Sequence, residues 1–428
     1  MVEYNSIGAL MVKQILGAIE FSDKEIRLVI GEYYNTRFNI IKVDSIACRG
    51  ILDCVITNKE EVKKSVIEIV ERNSKMIGAH IERLILLIPS VNFKRYPLKV
   101  NVQTDNGIVS TNDVNRAIKK AMRTIVDSNI MIINAVCVKY TCNGISSRRI
   151  PVNEFADELA VDIDLLCADR SITFDYVSLL EEVGIEVMDI MLDMYAVCKE
   201  AALFEQTVNQ NTILLKIDYQ TTTLALLSKG KLVSCEILYN GLSSIVDPVY
   251  DKYRIAMNVV ERLVKYNTRF EDNDLSSDAI YAWKTSDNQS NTISENDLAA
   301  IVKEPTEKLV EEIKEACRPI LENGQTNIVV VGEGAKMEAL VKKIEETTNV
   351  PSKIYVPETI GIRDSAYVAI LGSVYGYRDR RLVDQEMVSS INLLEFNELV
   401  DKKTIDSEGE TLTTRIRSLF EPTKREEK

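Results

Sequence analysis

The chain has 428 residues, 46% of them apolar and 27% charged, with 52 Lys and Arg against 65 Asp and Glu for a formal net charge of -13. That length exceeds one ordinary core and points to roughly two to four subdomains. The acidic balance argues against sequence-independent binding to nucleic acid, which needs a basic face to neutralise phosphates.

Lys13 and Gln14 interrupt the short N-terminal apolar segment, and no basic stretch precedes it, so neither a signal peptide nor a spanning helix is expected. Residues 16–57 alternate as strands in LGAIEFSDKEIRLVIGEYY and RFNIIKVDSIAC. Next, Val62, Val66, Ile69, Val70 and Ile77 fall at helical spacing, followed by the strand IERLILLIPS. Three strands, a helix and a buried strand make an α/β unit.

Residues 90–167 break that rhythm and read as a compact α+β insertion of about 80 residues. Its helix is expected to start on Thr111 and Asp113. From residue 173 a helix, a strand and a helix lead to ILLKIDYQTTTLALLSKGKLVS. Here Ile213 to Ile217 read as an apolar strand ended by Asp218, and Leu224 to Leu227 resume after a hydroxyl-rich corner. A meander, GKLVSCEILYNG, precedes VDPVYDKYRIAMNVVERLVKYN, read as one long amphipathic helix. Residues 268–292 are polar, a loop or small β element. A helix with the start signature Ser294 and Asp297, the strand NIVVVGEG, the helix AKMEALVKKIEETT and the helix SAYVAILGSVYGY close the globular part. Beyond about Arg381 the chain is charged and shows no convincing core pattern.

The eight cysteines form no CxxC pair or zinc spacing, and most lie in apolar runs such as INAVCVKY, as reduced core thiols. With the single histidine His80 and no Gly-x-Ser-x-Gly, Ser-His-Asp or Cys-His catalysis is not expected.

Two stretches share one layout. LGAIEFSDKEIRLVIGE and LLKIDYQTTTLALLSKGKL each run apolar strand, acid, aromatic, short polar turn, apolar strand, glycine. Two such halves facing a cleft describe an actin-like (ribonuclease H-like) two-lobed α/β fold.

In order along the chain, GAIEFSDKEIRLVIGE, SVIEIVERNSKMIGAHIERLILLIPS, VSLLEEVGIEVMDIMLDMYAVCKEAA, NIVVVGEGAKMEAL and GIRDSAYVAILGSVYGY resemble the bacterial cell-division actin homologue FtsA. The resemblance implies residues 1–89 as a first subdomain, 90–167 as the inserted subdomain and 168–380 as the rest of the first lobe plus the second lobe. It further implies a linker at 381–410 and a membrane-targeting amphipathic segment at 411–428.

It also implies a site for ATP and magnesium. The family's first hairpin carries an acid followed by Gly-Thr; here stand Glu20, Phe21, Ser22 and Asp23, which puts a negative charge where phosphates should lie. Glu20 and Asp218 are the implied metal carboxylates, and Ser22, Thr221, Thr222 and Thr223 the implied phosphate donors. Threonine is also simply favoured in strands. Gly241 is what remains of a Gly-Gly turn, Glu261 is kept on the ribose-reading helix with Lys265 beside the lost lysine at Val264, and Glu333 interrupts Gly332 and Gly334. A lost hydrogen bond to charged phosphate costs about 1.5–3 kcal/mol, against about 8 kcal/mol in total for a micromolar ligand. Three such losses leave weak or absent nucleotide binding and no sustained ATPase turnover.

In the tail, Leu412, Ile416, Leu419 and Phe420 share a helical face flanked by Arg415 and Arg417. The resemblance implies a peripheral protein on the cytoplasmic side of the bacterial membrane that self-associates into filaments. It would bind a tubulin-like FtsZ partner and other division proteins, and no nucleic acid. The rivals are a PilM-like pilus-assembly adaptor and a sugar-kinase-type phosphotransferase of the same superfold.

Overall fold

The computed structural model describes residues 14–34, 37–270, 275–284, 288–321, 325–384 and 388–397. Two five-stranded mixed sheets carry the fold and share one strand order. In the first, the antiparallel meander Gln14–Phe21, Glu25–Tyr34 and Arg37–Ala47 continues from its first strand into parallel Arg83–Ile88 and Glu186–Leu192. In the second, the meander Asn211–Ile217, Thr222–Ser228 and Lys231–Leu238 continues likewise into parallel Thr326–Val331 and Ser352–Ile354. The opening strand of each meander is therefore the central strand of its sheet. This repeat is the actin-like architecture anticipated from the duplicated hairpins.

Period-two alternation decides which way each central strand faces. Ile213, Leu215 and Ile217 enter the core beneath the helices of the second lobe. Leu214 points the other way, into a core shared with the first sheet. The run read as apolar includes Lys216, which by the same alternation lies on the side facing the first lobe.

Helix Lys59–Ile77 covers the first sheet with Val62, Val66, Ile69, Val70 and Ile77, capped by Asn58 and ended by left-handed Gly78. A separate four-stranded sheet, ordered Lys94–Gln103, Glu158–Asp169, Ile130–Cys142, Ile145–Ser147, packs with helix Thr111–Ala121 around its own core of Val109, Val114, Leu159, Val161 and Ile163. The cap of that helix is Ser110, one residue before the expected start, in a reciprocal pair with Asp113. Ser294 and Asp297 do form the expected pair, each backbone N–H donating to the other side chain at 3.0 and 3.1 Å.

Three sequence expectations need correction. The segment read as one long helix is two, Ser243–Tyr253 and Met257–Asn267, because Arg254 takes a left-handed conformation (φ 50°) and ends the first. The polar stretch after Asn267 contains a hairpin, Ala279–Lys284 with Ser290–Ser294. The third concerns the segment assigned to a linker: Ser389, Ser390 and Ile391 are buried against the first lobe. Ser390 Oγ accepts from Gly17 N at 2.7 Å, and Ser390 N donates to Ile15 O at 2.7 Å.

Helix Asp193–Glu200 leads from the first sheet toward the second, and helix Val368–Asp384 leads back. Glycine lets them touch, since a Cβ on Gly372 would collide with Ala196 O; a Cβ on Gly376 would meet Met191 Sδ, on the strand that precedes the first of these helices. Among the described residues no helix is long and apolar enough to cross a membrane. All eight cysteines are free.

Candidate functional site

The two hairpin corners meet, and the space between them is filled by their own charges. Lys216 Nζ lies 3.0 Å from Glu20 Oε1, 3.2 Å from Asp193 Oδ2 and 3.0 Å from Asp218 Oδ2. Burial disfavours the charged ammonium, but Asp218, Glu20 and Asp193 outweigh that and raise its pKa well above the ordinary lysine value. Asp193 opens the helix that leaves the first sheet, where the helix dipole favours an anion, and its other oxygen accepts from Ser90 Oγ at 2.6 Å and Ser90 N at 3.1 Å.

Arg27, 1% exposed, runs beside this cluster. It pairs with Glu25 at 2.7 Å, Glu20 at 3.5 Å and Glu333 at 3.4 Å, and donates to Ala366 O at 2.8 Å. Glu333, the residue between the two glycines, also pairs with Lys265 and with Lys336. Burial pushes its carboxyl up, yet Lys265, Arg27 and Lys336 together hold it down at about 2.

The first corner reaches across to the second. Asp23 Oδ2 accepts from Gln220 N at 3.1 Å and from Thr221 Oγ1 at 3.2 Å. Burial and the nearby Asp218 raise the Asp23 pKa, partly offset by those two donors and by Lys216. One residue on, Lys24 Nζ pairs with Glu261 at 2.5 Å.

The implied ligand residues thus lie in or beside one cleft, and the charged ones among them are paired with protein groups. Ser22 closes its own turn, its Oγ donating to Glu25 O at 2.9 Å. Thr222 donates to Asn240 O at 2.8 Å, while Thr223 lines the small remaining cavity. Gly241 sits where a Cβ would fall 2.7 Å from Asp218 O and 2.8 Å from Thr221 N, so its use is to seat the second hairpin. Gly332 (φ 87°) does the same from the opposite side, against Ile217 O, and a Cβ on Gly334 would overlap the Ile217 side chain. Glu261 and Lys265 face each other at 3.6 Å, and Val264 has joined the core.

As arranged, the residues do not fit a magnesium–nucleotide. The two implied metal carboxylates, Glu20 and Asp218, hold an ammonium. Among the described residues no group of three or more His, Cys, Asp or Glu is placed to bind a metal ion. The space left between the corners is about 20 Å³, near what one water needs. Lys216 and Asp193 escaped the sequence reading. Their signal was a lone lysine two residues before the strand-ending acid, and the second of two acids in the apolar run MDIMLDMYAV. The tail residues Leu412, Arg415, Ile416, Arg417, Leu419 and Phe420 lie outside the described residues.

No family model matches the chain. It is 22% identical over 373 residues to the cell division protein FtsA of Bacillus subtilis, covering 85% of this chain and 84% of that protein. It is 19% identical over 404 residues to the FtsA of Staphylococcus epidermidis, covering 91% and 85%. A solved chain of the PilM–PilN type IV pilus biogenesis complex superposes with a TM-score of 0.56 at 11% identity, covering 84% of this chain and 98% of that one. The chain is a divergent relative of the FtsA cell-division proteins, built on the actin-like fold.

Proposed function

We propose that this protein is a division adaptor of the FtsA type that works without a nucleotide cycle. The single observation that carries the reading is the co-linear similarity to FtsA proteins through both lobes and the insertion, at 85% coverage of the chain. In this role the outer face of the second lobe takes the tail of an FtsZ-type tubulin homologue. The segment at 411–428 attaches the assembly to the inner surface of the membrane, where other division proteins join it. Self-association runs through the inserted subdomain, consistent with the exposure of Ile108, Ile145 and Phe155 there and with the free edge of strand Ile145–Ser147. One such tail binds lipid weakly, at about 1 kcal/mol per Lys or Arg, so self-association supplies the avidity.

The pocket is degenerate in this reading. ATP would have to displace Asp23 from Thr221 and Gln220 and pull apart the Lys216 and Glu333 pairs, each a charged contact of about 1.5–3 kcal/mol. The deciding experiment is capture of the chain by the C-terminal tail of FtsZ from the same organism, with liposome flotation of the full chain against one ending at Glu410. Capture together with tail-dependent flotation supports the adaptor; no capture and equal flotation reject it. The likeness to the PilM chain favours a second reading, a pilus-biogenesis adaptor, which predicts capture by a pilus membrane protein and none by FtsZ.

A further inference from the structure

We propose that Lys216 and Asp23 are built-in counterparts of a divalent cation and a phosphate, so that the chain's own charges join the two lobes where a metal–nucleotide would otherwise bridge them. The inference rests on the degenerate pocket of the proposed function and says what degenerated into what. Glu20, Asp193 and Asp218 come from three separate elements and bring one oxygen each within 3.2 Å of a single point. Three carboxylate oxygens are the donor chemistry of a hard divalent cation, although here they are spaced around an ammonium and not placed for a metal. Their span, 3.0 to 3.2 Å, is that of an ammonium ion pair rather than the roughly 2.0–2.6 Å of a magnesium or calcium bond.

An independent observation points the same way. Asp218 is 6% exposed and gives the ammonium only its Oδ2, yet its Oδ1 accepts no hydrogen bond. Buried carboxylate oxygens rarely go without donors. The cluster therefore has more acceptor capacity than the ammonium uses.

On the anionic side, a backbone N–H and a threonine hydroxyl converge on one oxygen, the pairing by which hairpin corners hold phosphate. Here the oxygen belongs to Asp23, on the opposite hairpin. Both substitutes cross the cleft: Lys216 belongs to the second lobe and reaches Glu20 and Asp193 of the first, and Asp23 of the first reaches Gln220 and Thr221 of the second. Lys24 to Glu261 and Arg27 to Glu333 add two further crossings.

Removing either substitute should restore affinity for the ligand it replaces. Full-length wild type and Lys216→Ala are melted with and without MnCl2. The wild-type melting temperature should stay within about 1 °C, and that of the variant should rise by about 5 °C or more. Asp23→Ala, which also removes the repulsion from Asp218, is titrated with inorganic pyrophosphate by calorimetry and should bind at least about tenfold more tightly than wild type. If Lys216→Ala does not fold in either buffer, the pyrophosphate titration decides. Wild type stabilised by manganese as strongly as the variant, or variants that gain neither ligand, overturns the proposal. FtsZ-tail capture separates the two readings, because its failure removes the adaptor role and leaves both ligand results standing, and the reverse also holds.

Discussion

Asp23 on the first hairpin accepts a hydrogen bond from Thr221 on the second at 3.2 Å, across 198 residues of chain. The two corners are thereby tied directly, and the hydroxyl solvates a buried anion. Thr221→Val keeps the shape and removes the donor, so it should destabilise the fold by about 1.5–3 kcal/mol in urea unfolding. A change below about 0.5 kcal/mol would show that the contact carries no stability.

Lys216→Met leaves Glu20, Asp193 and Asp218 buried around an apolar side chain. Breaking a buried pair by removing one partner is expected to cost about 3–5 kcal/mol. Adding Asp218→Asn to the same chain should recover part of that loss. Strict additivity of the two single substitutions would mean that the residues do not interact.

Glu333 has its carboxyl held at about 2 in the fold against 4.5 for an ordinary glutamate. Depressed in the folded state, it contributes stability that is present above pH 4.5 and is lost as pH falls toward 2, roughly 3 kcal/mol in all. Lys265→Met weakens the depression and should move the acid-unfolding midpoint to higher pH. A midpoint unchanged by the substitution would exclude Lys265 as a major source.

Glu200 shifts the other way. Burial pushes its carboxyl up to about 7, the Thr359 hydroxyl offsets part of this, and Glu358 adds repulsion. Raised in the folded state, its contribution to stability is full below pH 4.5 and declines as pH rises to about 7. Glu200→Gln should abolish that decline and add roughly 1–3 kcal/mol at pH 8. Melting temperatures of both proteins from pH 5 to 8 should converge at the acid end.

Gly372→Ala places a methyl group against Ala196 O, where the two helices that join the lobes cross. Overpacking of this kind costs about 1–3 kcal/mol where neighbours can shift; against a backbone carbonyl the upper end is expected, seen as a lowered urea midpoint. Ser373→Ala, one position away, removes only a hydrogen bond to Ile370 O and should be milder.

The helix over Lys59–Ile77 was legible because its five apolar positions repeat at one spacing and all five are buried. The duplicated hairpins were legible for the same reason at period two. The break at Arg254 was not, because no glycine or proline stands at that position and the helical pattern runs through it. Ser389 and Ser390 read as linker because serine has no apolar signature, and their burial depends on strand edges more than 370 residues earlier.

The sequence by itself determined the two hairpins, their order around an insertion, and corners that carry acids and no glycine. These follow from local periodicity and from the steric demands of single residues. Only the tertiary structure decided that Lys216 stands among Glu20, Asp193 and Asp218 and that Asp23 lies against Thr221. Ion pairs and hydrogen bonds act over about 3 Å between groups that the chain separates by 198 residues at Asp23 and Thr221 and by 306 at Arg27 and Glu333, and no local pattern encodes which of them will meet.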